Sequence, residues 1–180
     1  MKGVRAAIRY AKALQQLAQE QQLLDTVIVD VKLIHNTIVE NKELALMLQS
    51  PLIKADKKSN VLTAIFDNKV NAQTLKFLQL VVAHKRERAL QVICEEFIKV
   101  YNTIKNIAIV EVTTTSALTD ALRVELITKI KTDYSLFAVE LVEKIDTSLV
   151  GGIVLRIGDK QLDASIRRQL NDIKQELVQA

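Results

Sequence analysis

Three of the four glycines lie in the stretch GGIVLRIGDK, residues 151–160, where an aspartate and a lysine follow the last glycine. Glycines near a lysine can form a phosphate-binding loop, which requires the pattern GxxxxGK followed by Ser or Thr. Here five residues, IVLRI, separate Gly152 from Gly158, and no hydroxyl residue follows the lysine. We therefore interpret Gly151–Gly152 as a tight hairpin turn and Gly158–Asp159 as another, with a structural role.

The other side chains that could perform catalysis or hold a metal are few. A single cysteine, Cys94, excludes an intramolecular disulfide and a cysteine-based zinc site, and its place on an apolar helix face indicates a buried structural thiol. His35 and His84 lie far apart, without the spacing of a zinc-binding helix. Asp159 and Asp163 are expected in an exposed turn, where nothing desolvates them for acid catalysis. The sequence predicts no catalytic, cofactor-binding or metal-binding residue.

Charge is distributed unevenly along the 180 residues. The first 105 residues carry 16 Lys and Arg against 10 Asp and Glu, a balance of +6, whereas the remainder carries 9 against 11. A basic half could bind nucleic acid. Its basic residues are dispersed, however, and no aromatic side chains alternate with them as stacking platforms would require. No stretch of 18 apolar residues is present. The basic N-terminus continues directly into a helical pattern, so we interpret it as mature bacterial, cytoplasmic protein rather than a transit peptide.

Apolar residues recur at helical spacing through the first 105 residues. Asn41 and Asn71 are predicted to cap the third and fifth helices. The fourth helix is expected to start at Asp56 or Ser59. The sixth is expected to bury an apolar face that includes Ile104. Short connections between six such helices predict a bundle.

The pattern changes after residue 105. The segments with the β-branched or alternating character of strands are 107–115, 137–146 and 152–158. In the last of these, Ile153, Leu155 and Ile157 are expected to face one way. A helix between the first two strands, capped by Thr119 or Asp120, is expected to turn Leu122 inward. The predicted fold is mainly α, with a six-helix N-terminal domain (1–105) followed by a small α+β C-terminal domain (106–180).

Both terminal helices could contact another protein. The first is rich in alanine, which suits either a groove for a partner helix or a tightly packed bundle, and the sequence does not separate these alternatives. The last helix carries a narrow apolar seam flanked by charges, a pattern that favours a partner helix. The seam consists of Ile166, Leu170, Ile173 and Leu177.

Two stretches carry a family resemblance. RYAKALQQLA (9–18) and GGIVLRIGDKQLDASIRRQL (151–170) resemble the delta subunit family of F-type ATP synthase, whose mitochondrial counterpart is the oligomycin-sensitivity-conferring protein. Domain order and length agree over essentially the whole chain. Ala164 stands where the family usually has Gly, and Gln15 stands where it often has an aromatic residue.

The resemblance implies a non-catalytic stator subunit that ties the α3β3 catalytic head to the peripheral stalk and resists rotor torque. A groove between helices one and five would receive the N-terminal helix of an alpha subunit. The matching positions are Tyr10, Ala13, Leu17, Phe77, Leu80 and His84. The seam of the last helix would contact the C-terminal helices of the b subunits. One copy per complex, no cofactor, no nucleic acid and only indirect membrane attachment, at the cytoplasmic face of the bacterial inner membrane, are expected. The alternative is a basic helical nucleic-acid-binding module.

Overall fold

A computed structural model describes the backbone of residues 2–179 and the side chains of residues 4–175. The chain divides into two compact units, Met1–Tyr101 and Asn102–Ala180, four residues before the predicted boundary at 105. The helices that begin in the first unit are α1 (Lys2–Glu20), α2 (Leu24–Glu40), α3 (Lys42–Gln49), α4 (Ala55–Phe66), α5 (Ala72–Ala83) and α6 (Leu90–Ile104), with a 3-10 turn at Glu87–Ala89. The mainly α fold with a six-helix N-terminal bundle is confirmed.

Side-chain caps fix several helix starts as predicted. The Asn41 side chain accepts a hydrogen bond from the Leu44 N–H at 3.1 Å, and Asn71 accepts one from the Gln73 N–H at 2.9 Å. The prediction for α4 is wrong, because this helix begins at Ala55, ahead of both proposed starts. Asp56 lies instead in the first helical turn, where its negative charge interacts favourably with the positive end of the helix dipole.

Aliphatic side chains from all six helices fill the core of the first unit. Ala7 and Ala11 of α1 are fully buried, so their small size allows close helix packing. Phe66 and Phe97 are the largest apolar side chains at its centre. Ile104 is exposed, contrary to expectation, because it is the last residue of α6 and lies outside this cluster.

A buried carboxylate joins α2 to the start of α5. Asp30 Oδ2 accepts hydrogen bonds from the Thr74 hydroxyl at 2.7 Å and from the Asn71 N–H at 2.8 Å. Thr74 is itself buried, so each polar group satisfies the other. This contact fixes the beginning of α5 against the bundle.

The second unit contains a four-stranded sheet in the order β2-β1-β3-β4. Its elements are β1 (Ile107–Thr114), α7 (Asp120–Tyr134), β2 (Ala138–Ile145), a 3-10 turn (Thr147–Leu149), β3 (Gly152–Ile157), β4 (Lys160–Ser165) and α8 (Ile166–Gln179). β1 pairs in parallel with β2 and antiparallel with β3. The parallel pair requires the crossover that α7 provides. The small α+β C-terminal unit is therefore confirmed.

The core of the second unit lies between α7 and one face of the sheet. Val110 and Val112 of β1 are fully buried and pair in register with Ile157 and Leu155 of β3. The predicted common orientation of the three apolar β3 residues is therefore confirmed. Leu122 is exposed, contrary to expectation, because it lies in the first turn of α7, outside the cluster around Ile130.

The fourth strand was not predicted, and it changes the interpretation of the glycines. Gly158 and Asp159 form the two-residue connection of the β3–β4 hairpin, since Ile157 pairs with Lys160. No hairpin turn exists at Gly151–Gly152, because β1 lies between β2 and β3 in the sheet. The prediction of two hairpins was therefore wrong for this pair of glycines.

Candidate protein-binding surfaces

The described residues contain no group of three His, Cys, Asp or Glu side chains that could hold a metal ion. Cys94 is buried, and this burial raises the pKa of its thiol to about 12. A thiol with so high a pKa is a poor nucleophile. Among the helices described, none combines the length and apolar character needed to cross a bilayer.

Aromatic contacts join α1 to the C-terminal part of α5. The Tyr10 and Phe77 ring centroids are 6.4 Å apart at an interplanar angle of 67°, an edge-to-face contact. The Tyr10 ring also lies 6.4 Å from the His84 ring. His84 ends α5 and is exposed, whereas Tyr10 and Phe77 are half-buried. The structure therefore brings three of the six predicted groove residues into direct contact.

The other three predicted groove residues are exposed on the same two helices. Ala13 and Leu17 follow Tyr10 at spacings of three and seven, so they share one face of α1. Leu80 lies three residues after Phe77 on α5 and is 46% exposed, and Leu17 is 39% exposed. Large apolar side chains that stay exposed beside an aromatic cluster suit the apolar face of a partner helix.

The paired glycines form the support for α8. Gly151 accepts a hydrogen bond from the Ile166 N–H at 3.0 Å, and a Cβ on Gly151 would lie 2.6 Å from Ile166 Cδ1. Gly152 has φ +78°, and a Cβ there would lie 2.3 Å from the Ala164 carbonyl oxygen. Gly152 is therefore required both by its close approach to backbone atoms and by its left-handed backbone. At Gly151 the nearest atom is the end of the Ile166 side chain, which can rotate to make room. Ala164, where the resemblance implies a glycine, has no positive φ.

Polar side chains cap the start of α8. The Ser165 hydroxyl oxygen accepts a hydrogen bond from the Arg168 N–H at 3.2 Å. Asp163 accepts in turn from the Ser165 N–H at 3.0 Å. Hydrogen bonds from the Ser165 hydroxyl and N–H lower the pKa of the Asp163 carboxyl. Asp163 lies half-buried in β4, so the expectation that it lies in an exposed turn was wrong.

The apolar seam of α8 is left largely uncovered by its own unit. Ile166 is partly exposed, and Leu170 and Ile173 are 54% and 53% exposed. Leu177 lies in α8, but its side chain falls outside the described residues. The described part of this seam therefore presents an unpaired apolar stripe on a charged helix.

A second apolar surface of this unit was missed from the sequence. α7 and strands β3 and β4 enclose a groove of about 610 Å³. Leu126 and Ile130 line one side, Leu155 lines its floor, and Leu162 lines the outer side and is largely exposed. The groove depends on β4, which the sequence pattern did not predict, so no local signal placed Leu162 beside α7.

These features define a class of protein: a mainly α chain of two compact units whose candidate sites are exposed apolar helix surfaces. The sequence model for "ATP synthase delta (OSCP) subunit" matches residues 6–177. Curated "ATP synthase subunit delta" proteins are similar along the whole chain. That of Cytophaga hutchinsonii is 37% identical over 99% of this chain and 97% of its own length. That of Flavobacterium psychrophilum is 38% identical over 98% and 99%.

The chain therefore belongs to the ATP synthase delta (OSCP) subunit family. This confirms the resemblance inferred from residues 9–18 and 151–170. A chain in a cryo-EM structure of the Toxoplasma gondii mitochondrial ATP synthase hexamer shares the fold, with a TM-score of 0.76 at 22% identity. That alignment covers 96% of this chain and 97% of the other, so the similarity in fold includes both units.

Proposed function

We propose that this protein is a non-catalytic stator subunit of a proton-translocating F-type ATP synthase. It links the α3β3 catalytic head to the peripheral stalk of b subunits and opposes the torque of the rotor. The observation that carries the proposal is that each of the two compact units exposes an apolar helical surface, one on α1 and α5 and one on α8. Two separate surfaces allow one chain to hold two partners at once.

The first surface is proposed to bind the N-terminal helix of an alpha subunit. Tyr10 and Phe77 supply a rigid aromatic base, and Leu17 and Leu80 supply exposed apolar anchors beside it. Apolar anchors at the centre of an interface contribute most of its binding energy. Slow dissociation, which a load-bearing joint requires, follows from such contacts.

Gel filtration and titration with a synthetic peptide that copies the N-terminus of the alpha subunit from the same organism test this surface. We expect micromolar or tighter binding, and Leu17→Asp should weaken it by about 30-fold, as for the loss of a hot-spot side chain. Val29→Asp is the matched control, because Val29 is an exposed apolar residue outside the predicted groove residues. Binding that Leu17→Asp and Val29→Asp leave equally intact would refute this contact.

The second surface is proposed to bind the C-terminal helices of the b subunits through the α8 seam. Leu170→Asp and Ile173→Asp place a charge on that seam without disturbing a buried residue. Each should weaken binding of a stalk fragment, made of the C-terminal helices of the b subunits, by about 10-fold or more. Val124→Asp is the control, because Val124 is exposed on α7 and does not line the groove of that unit.

The groove beside α7 is the alternative binding site for the stalk fragment. Leu162→Asp changes the groove but leaves the seam of α8 intact. If Leu162→Asp abolishes binding while Leu170→Asp has no effect, the stalk contact lies in the groove and the α8 assignment is wrong.

The proposal also covers the copy number of the protein and its attachment to the membrane. One copy per complex would attach to the cytoplasmic face of the bacterial inner membrane only through its partners. A nucleic-acid-binding role for the basic helical half is not favoured by the family match. That role would require affinity for a DNA or RNA oligonucleotide that falls steeply with salt, which the same titrations can measure.

A further inference from the structure

A cleft in the first unit lies outside the proposed groove and shares no residue with it. Its volume is about 810 Å³. The α3–α4 connection and the start of α4 form one wall, and the segment between α5 and α6 forms the other. Pro51, Ile53, Ala55, Ala89 and Val92 contribute an apolar lining.

Basic side chains dominate the charge of this cleft. Lys54, Lys85, Arg86 and Arg88 line it, and none of them forms an ion pair with a described acid. Three of these cations come from the short charged segment HKRER at 84–88, which the proposed stator contacts use only at His84. A cleft with this charge attracts an acidic ligand.

A buried ion pair forms part of the cleft wall. Lys58 is 1% exposed, and its ammonium donates to Glu87 Oε1 at 2.8 Å and to the carbonyl oxygens of Leu48 and Ser50. Glu87 is 9% exposed, and its second oxygen, Oε2, is buried without a hydrogen-bond partner among the described residues. Burial acts to raise the pKa of Glu87, but the hydrogen bond from Lys58 and the charges of Lys58 and Arg88 leave it lowered.

A buried carboxylate oxygen without a donor is costly, so it selects for a ligand that supplies one. A ligand suited to this cleft therefore combines negative groups for the four lining cations with an N–H donor for Glu87. A peptide with acidic side chains has both, because each backbone amide carries an N–H. We propose that the cleft is a docking site for an acidic peptide segment of a partner protein.

Nucleic acid fits the cleft less well. The residues that line the cleft include no aromatic side chain on which a base could stack. The apolar lining suits aliphatic side chains interspersed among the acids of a peptide. Binding to an oligonucleotide is therefore the alternative outcome of the test.

The probe is a phage-displayed library of random peptides of about 12 residues, selected on the full-length protein. Enriched peptides should carry an excess of Asp and Glu. Synthetic copies should bind the Arg86→Glu and Arg88→Glu variants about 10-fold more weakly than the wild type. Lys69→Glu, an exposed charge reversal in the same unit but outside the cleft, should leave the affinity unchanged.

A second variant tests the buried Oε2 atom of Glu87 separately from the cations Arg86 and Arg88. Glu87→Gln keeps the shape but presents an amide that can place a donor where Oε2 stands, so peptide binding should fall by about 5-fold or more. Circular dichroism establishes that the variant is folded. Enrichment without acidic bias, affinity insensitive to Arg86→Glu, or equal binding of a dT12 oligonucleotide would each overturn the proposal. None of these results bears on the alpha-peptide titration.

Discussion

The C-terminal unit contains two glycines with a left-handed backbone, and replacing each by alanine should lower the stability of the unit by a different amount. Gly152 and Gly158 have φ +78° and +56°, so alanine at either position costs about 1–2 kcal/mol in backbone strain. At Gly158 a new Cβ would meet no atom within 4 Å. At Gly152 the Cβ would lie 2.3 Å from the Ala164 oxygen and 3.0 Å from Ser165 Cα, both on the backbone of β4.

The steric term makes Gly152→Ala the more damaging change. Because ordinary contact needs about 3.5 Å, β3 and β4 must separate by roughly 1 Å, at a cost of about 1–3 kcal/mol. Gly152→Ala should therefore destabilise the unit by about 2–5 kcal/mol and Gly158→Ala by only about 1–2 kcal/mol. In a unit of this size each kcal/mol corresponds to a shift of about 4–8 °C in Tm.

Native-state hydrogen exchange resolved to individual amides provides the assay, because it reports opening of the β3–β4 ladder separately from the helical bundle. Amides of 152–165 should lose more protection in Gly152→Ala than in Gly158→Ala, while those of α2 and α6 should be unchanged. Equal loss of amide protection in the two variants, or greater loss in Gly158→Ala, would show that the close approach to Ala164 does not constrain the backbone at Gly152.

Three further outcomes follow from buried groups of the first unit. Lys58→Met should destabilise the protein by about 3–5 kcal/mol in urea unfolding, because Glu87 is left buried without its cation. The double variant Lys58→Met/Glu87→Leu should recover much of that loss; no recovery would contradict the pairing. Because the folded-state pKa of Glu87 is lowered, its stabilisation is present above about pH 4.3 and lost as pH falls through the folded pKa, so Glu87→Gln should flatten the acid limb of a stability–pH profile. Cys94, with a pKa of about 12, should resist iodoacetamide at pH 8 in the folded protein and react in urea; rapid labelling when folded would show that the site opens.

The helical half could be predicted because its information is local. Apolar spacing and the Asn41 and Asn71 caps fix helices from neighbouring residues alone. β4 was missed because its six residues, KQLDAS, contain only two apolar side chains and pair with a strand that supplies the register. The wrong hairpin at the paired glycines has a different cause, because it assumed that β2 and β3 are neighbours, whereas β1 lies between them.

The candidate sites depended on information that periodicity does not contain. The contact of Tyr10 with Phe77 joins residues 67 positions apart in the sequence, and only the family resemblance suggested their proximity. The ion pair of Lys58 and Glu87 spans 29 positions, and nothing in the local pattern marked either residue as buried. Lysine and glutamate in a helical region are ordinarily solvated, so their burial is a tertiary effect.

The proposed load-bearing role requires a rigid start of α8, and this helix begins directly at the end of β4. A helix that holds a stalk transmits force only if its first turn cannot rotate on the sheet. Here the Gly151 carbonyl accepts from the Ile166 N–H, the Ser165 hydroxyl accepts from the Arg168 N–H, and Arg167 donates to the Ser148 hydroxyl at 3.3 Å. These three hydrogen bonds join successive residues of the first turn to three different points of the unit. Under the proposed function, Gly152→Ala should therefore weaken binding of the stalk fragment although Gly152 lies outside the seam, whereas Gly158→Ala should leave that binding nearly unchanged.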